Sequence, residues 1–127
     1  AYLGLGENTP IGNMPAAAAR TRSVLAGGER CAWSPTVWAN PVKGDELREA
    51  AARFTGASRV VTGDAFTDRA IMTMDDLAEY RILHFATHGL VTAPQRECPP
   101  RPALLTSFAP DAGSDGLLSF SEIYDLR

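Results

Sequence analysis

A chain of 127 residues, 45% of them apolar, suits one domain with one core and is too apolar for a disordered segment. Lys and Arg number 12 against 15 Asp and Glu, for a net charge of -3. Arg20, Arg22, Arg30, Arg48, Arg53 and Arg59 are scattered among small and acidic residues, so nucleic acid is not the expected partner. No apolar run approaches the roughly 20 residues that cross a bilayer, which argues against a membrane partner. The opening AYLGLGENTP lacks the basic start and apolar core of a secretory signal. Cys31 and Cys98 lie far apart without a pairing motif, which fits reduced thiols and a cytoplasmic location.

The first element in chain order is YLGLGE (2–7), a short buried strand ending in a turn. Pro10, Gly12 and Pro15 make the next stretch a loop. AAAARTRSVLAGG (16–28) has helical character and ends on Gly27 and Gly28. CAWSPTVWANPVKG (31–44) mixes prolines with two tryptophans and reads as irregular backbone anchored by Trp33 and Trp38. The clearest helix is DELREAAARFTGA (45–57), where Leu47, Ala50, Ala51 and Phe54 recur at i, i+3, i+4 and i+7. Asp45 suits its start and Gly56 its end.

SRVVTG (58–63) is a strand, and TDRAIMTMDDLAEY (67–80) is a helix broken near Thr73, with Thr67 or Asp68 near its start. RILHFAT (81–87) is a strand with apolar residues on both faces, as in a sheet interior. A loop with four prolines (89–102), a strand ALLTS (103–107), a turn (108–116) and a short extended GLL follow. The last element is a helix from Ser119, where S-x-x-E spacing to Glu122 forms a capping box. Strands alternating with helices predict an α/β fold, with a mostly parallel sheet flanked by helices on both faces. The chain opens inside a strand pattern and closes inside a helical one, as a fragment of a longer protein would.

The run YRILHFATHGLV (80–91) holds both histidines. His88 sits at the carboxyl end of its strand, where parallel sheets gather ligands and chemistry. Four readings compete. Both histidines can be hydrogen-bonded core or rim residues, the favoured role for mid-strand His84. The H-x-x-x-H spacing resembles a metal pair, but it lies on a strand without a third ligand or a base glutamate, so no metal is expected. GLGEN carries a lone G-x-G without a later glycine or phosphate-binding lysine, so no nucleotide cofactor is expected. The fourth reading is acid–base chemistry: His88 takes a proton from a nucleophile, and the backbone N–H of Gly89 faces a substrate oxyanion.

YRILHFATHGLV, then PALLTS, then DGLLSFSEIYDLR closely resembles the CHAT domain, a caspase-like domain often attached to tetratricopeptide repeats. YLGLGEN and VVTGDAFTDRAIM fit its earlier segments, and the likeness is weakest between Pro10 and Asp45. The resemblance implies a caspase-like fold, incomplete at its C-terminal end, with residues 1–127 forming a partial domain. It also implies a cysteine endopeptidase in which His88 is general base and acid and Gly89 N–H is an oxyanion donor. The family's nucleophilic cysteine lies at the end of a further core strand, which this chain does not contain. Cys31 and Cys98 do not match that position, although the loop carrying Cys98 begins just after Gly89. The chain alone is then inactive. Its expected partners are a peptide or protein substrate, a tetratricopeptide-repeat or other regulatory segment, and a second copy at an uncovered sheet edge. The alternative is a caspase-like interaction module that binds without cleaving.

Overall fold

The computed structural model describes residues 1–11 and 31–127. The helix expected over 16–28 lies outside the described residues. Strand β1 (Tyr2–Gly6) is followed by helix α1 (Asp45–Arg53), strand β2 (Ser58–Thr62), helix α2 (Asp68–Met72) and strand β3 (Ile82–Ala86). Then come β4 (Gly89–Leu90), β5 (Ala103–Leu105), β6 (Leu117–Ser119) and helix α3 (Phe120–Tyr124). The α/β class is as expected, but the strands divide into two sheets. One is parallel, in the order β2-β1-β3, and the other antiparallel, in the order β4-β5-β6.

The parallel sheet is organised by β1. Leu3 and Leu5 point to one face, where they join Val61, Phe66, Ile71, Leu77 and Leu118 in the core. The alternate residues Tyr2, Gly4 and Gly6 point to the other, as a period of two requires. There α1 packs so close that a Cβ at Gly4 would lie 3.2 Å from that of Leu47. Leu47 is fully buried, and the Tyr2 ring lies 5.8 Å from that of Phe54. Replacing Leu47 with Ala would therefore cost about 2–5 kcal/mol, the usual loss for a buried leucine.

Local signals set the element ends. Thr67 caps α2, its hydroxyl accepting from Ala70 N–H at 3.0 Å. That helix stops at Met72, near the expected break, and a 3-10 turn at Leu77–Glu79 replaces its second half. The Ser119–Glu122 capping box is formed at α3. Trp38 anchors its segment as expected. It is fully buried in a 3-10 turn (Pro35–Trp38), whereas Trp33 is only half-buried.

Three expectations need correction. First, β5 does not extend the parallel sheet. The 91–102 connection contains no crossover helix, so β4 and β5 can meet only as antiparallel neighbours. Second, within this chain β3 lacks the two neighbours of an interior strand: among the described residues it pairs with β1 alone, which agrees with the uncovered sheet edge expected of a partial domain. Ile82 and Leu83, on opposite faces, remain 44% and 37% exposed. Third, the two cysteines are not separate thiols: Cys31 and Cys98 form a disulfide across a sequence separation of 67. The long loop folds back onto the tryptophan segment, and chain spacing gives no sign of that return.

The two sheets meet through a buried polar network. Ser107 Oγ donates to Gly63 O at 2.6 Å and accepts from Thr9 N–H at 2.8 Å. The Ser114 hydroxyl donates to the Asp68 carboxylate, and Asp68 N–H donates to Thr106 Oγ1 at 3.2 Å. Burial pushes the Asp68 carboxyl above its ordinary range, against the Ser114 bond that favours its ionised form.

Candidate functional site

The three parallel strands end level with one another, Gly6 beside Thr62 and Ala86. The chain leaving β3 bends at Thr87, whose hydroxyl donates to Leu105 O at 2.6 Å. His88 therefore does not continue the alternation of β3. It sits in the bend between the parallel strand and β4, exposed at the carboxyl ends.

His88 Nε2 lies 2.7 Å from the backbone carbonyl of Asn40. A carbonyl only accepts, so Nε2 carries a proton, and in the neutral ring Nδ1 is the basic nitrogen. Nδ1 has no hydrogen-bond partner among the described residues. The imidazole is thus held in one tautomer with its basic edge free. Asn40 is held in turn by its neighbour Trp38. The Trp38 indole N–H donates to Thr106 O at 2.9 Å, and its carbonyl accepts from Asn8 Nδ2 at 3.3 Å.

Gly89 follows on the same cleft wall. Leu105 N–H donates to His88 O at 2.9 Å, and Gly89 sits opposite Leu104. Bonded and non-bonded pairs alternate in an antiparallel ladder, so the Gly89 N–H turns away from β5 toward the open edge of β4. A Cβ built at Gly89 would meet nothing within 4 Å. The protein itself therefore imposes no steric demand for glycine at this point. Thr36, Val37 and Asn40 line one wall of a cleft of about 340 Å³, and His88, Gly89 and Leu90 the other.

His84 has a different environment. Tyr2 Oη lies 2.9 Å from its Nδ1, and Glu46 Oε1 lies 3.0 Å from its Nε2. With Nε2–H donating to the carboxylate, Nδ1 accepts from the Tyr2 hydroxyl. If the ring gains a second proton, the Tyr2 hydroxyl can turn to Leu47 O, 3.4 Å away. Both ring nitrogens are committed, and they tie β3 to α1 and β1. This is the hydrogen-bonded structural role expected for a mid-strand histidine.

Glu7, just beyond β1, is the one described non-glycine residue with positive φ, at 49°. Its carboxylate accepts from Gly44 N–H at 2.7 Å and from Arg48 Nη2 at 3.1 Å. The Gly44 bond, then Arg48, holds its carboxyl below the ordinary range. This pairing secures the start of α1 to the carboxyl end of β1.

No cysteine thiol reaches the cleft, because both sulfurs are in the disulfide. Among the described residues no group of three or more His, Cys, Asp or Glu side chains could hold a metal ion. Nor, among them, is any helix long and apolar enough to cross a membrane. The Asn40 carbonyl is the site group that sequence reading missed. A main-chain oxygen carries no residue signature, and the only hint was a buried tryptophan two places earlier.

The fold and the cleft define an α/β domain that presents one oriented histidine at the carboxyl end of a parallel sheet. The family model for the CHAT domain matches residues 7–127, so the chain belongs to the CHAT domain family. No curated protein and no solved structure matches it.

Proposed function

We propose that this chain supplies the histidine half of a Cys–His dyad in a cysteine endopeptidase-like CHAT domain. The supporting observation is the bond from His88 Nε2–H to Asn40 O, which leaves Nδ1 as an oriented, unpartnered base. The nucleophile is a cysteine thiol from outside these residues, carried on a strand beside the open edge of β3 in a caspase-like layered sheet. Nδ1 takes the thiol proton as sulfur attacks the peptide carbonyl carbon. The Gly89 N–H donates to the resulting oxyanion. His88 then passes the proton to the leaving amine, and water hydrolyses the thioester with the same base. The isolated chain, lacking the thiol, is inactive. In the parent protein, His88→Ala should lower turnover of a peptide substrate by about 10²–10⁴-fold, the usual worth of a positioned general base. Undiminished thiol-dependent turnover in that variant would refute the assignment.

A second reading is favoured by the apolar edge of β3, where Ile82 and Leu83 are exposed and no described strand pairs. On that reading the domain binds a strand of a regulatory segment, such as a tetratricopeptide-repeat region, or of a second copy, and cleaves nothing. The residue at the dyad position of the parent's next apolar strand separates the two: cysteine supports the peptidase, any other residue the binding module. A cytosolic location belongs to the first reading, and it makes the disulfide a regulated bond, because cytosolic disulfides are usually transient, catalytic or redox-sensing.

A further inference from the structure

The cleft walls come from segments distant in sequence, and the disulfide joins those segments. Cys31 precedes the 3-10 turn that carries Thr36 and leads to Asn40, while Cys98 lies in the loop that leaves the cleft at Leu90 and returns at Ala103. The two halves of this bridge are unequally secured. The tryptophan segment keeps its own anchor, with Trp38 fully buried and bonded to Thr106 and Asn8. Contacts with the other described residues hold the loop less firmly. Across residues 91–101 Cys98 is the only buried side chain, at 5% exposure. Pro94, Pro99 and Pro100 give the loop no backbone donors at those positions, and a hydrogen bond within it, Cys98 N–H to Gln95 O at 3.1 Å, closes one turn around the cysteine.

We propose that the Cys31–Cys98 bond is a redox clamp, which when formed holds the β4–β5 loop beside the His88 cleft and when reduced releases it. The inference rests on the cleft being the working site, and it names the regulation of that site. The chemistry is thiol–disulfide exchange. A dithiol reductant attacks one sulfur through its thiolate and displaces the other sulfur as a leaving thiolate. The reductant then closes into its own disulfide, and two electrons and two protons have converted the bridge into two thiols. Buried Cys98 cannot be attacked directly, whereas Cys31 is only partly buried, so exchange starts at Cys31. Release leaves the parallel sheet and the Trp38 anchor in place, because neither depends on the loop.

The test is amide hydrogen exchange, read by mass spectrometry, on the intact chain before and after treatment with dithiothreitol, and on Cys98→Ser. Exchange at the residue 98 amide, the hydrogen-bonded N–H of the loop, should accelerate at least ten-fold on reduction and be equally fast in Cys98→Ser, while the amides of β1 and β3 keep their protection. Three results would overturn the clamp: unchanged exchange at the residue 98 amide after reduction, loss of protection throughout β1 and β3, or two titratable thiols in protein purified without reductant under air. The second would make the bond a staple of the whole fold. None of these measurements uses turnover, so failure of the clamp and failure of the dyad assignment are separable.

Discussion

Two glycines on this chain should differ sharply in their response to the same added methyl group. Gly116 has φ of 77°, and a Cβ there would lie 2.9 Å from Trp38 Nε1 and 3.0 Å from its Cζ2. The indole cannot retreat easily, because it is fully buried and its N–H is bonded to Thr106 O. Gly116→Ala places an L-residue in the left-handed region, costing about 1–2 kcal/mol. Overpacking a filled site adds about 1–3 kcal/mol. The lower entropy of the unfolded alanine chain returns about 0.4–1 kcal/mol, so the net loss is about 1–5 kcal/mol. For a domain of this size that lowers the melting temperature by roughly 3–20 °C. Gly89→Ala should change stability by no more than about 0.5 kcal/mol, since its Cβ meets nothing within 4 Å. Thermal melts followed by circular dichroism on the two variants give both numbers. A Gly116→Ala midpoint within about 2 °C of the parent chain, or an equal loss in Gly89→Ala, would refute the packing argument. Displacing Trp38 would also shift Asn40, so Gly116→Ala should alter the His88 imidazole ¹⁵N signals as well.

Three further outcomes are expected. Burial, aided by repulsion from Asp68 and Glu122, pushes the Asp115 carboxyl up to about 6, against the Leu117 N–H that favours its ionised form. The folded state therefore binds this proton more tightly than the unfolded chain, so stability falls as pH rises from the ordinary carboxylate range to about 6. Asp115→Asn should be more stable at pH 7 by about 1–2 kcal/mol, reduced from a ceiling of about 3 because the carboxyl is partly solvated. That gain should vanish near pH 4, and denaturant titrations giving equal differences at both pH values would contradict it. Ile82→Lys should weaken any self-association through the edge of β3 while changing the melting free energy by less than about 0.5 kcal/mol. Sedimentation velocity reads this directly, and unchanged association would move the contact elsewhere. On the proposed dyad, with the cysteine strand supplied, Gly89→Ala should reduce peptide turnover despite its neutral effect on folding, because the added methyl occupies space left open beside the N–H; unaltered turnover would remove Gly89 from the oxyanion role.

What the sequence determined by itself is local. The alternation of β1, the apolar face of α1 around Leu47, the Thr67 and Ser119–Glu122 caps and the interruption after Met72 depend on neighbours a few residues away. Such neighbours act through backbone geometry and short hydrogen bonds, so their pattern survives in the linear chain. The paired role of His84 was legible for the same reason: a polar residue inside an apolar strand must find partners, although Tyr2 and Glu46 could not be named in advance. Tertiary structure decided which strands are adjacent. Apolar residues on both faces of β3 specify burial above and below the sheet but say nothing about who lies beside it, so a strand with interior composition stands at an edge. It also decided the turn to antiparallel pairing after His88, the closure of Cys31 on Cys98 and the approach of the Asn40 carbonyl to His88. Each of these joins groups far apart in the chain, through backbone atoms or loops that leave no periodic signature.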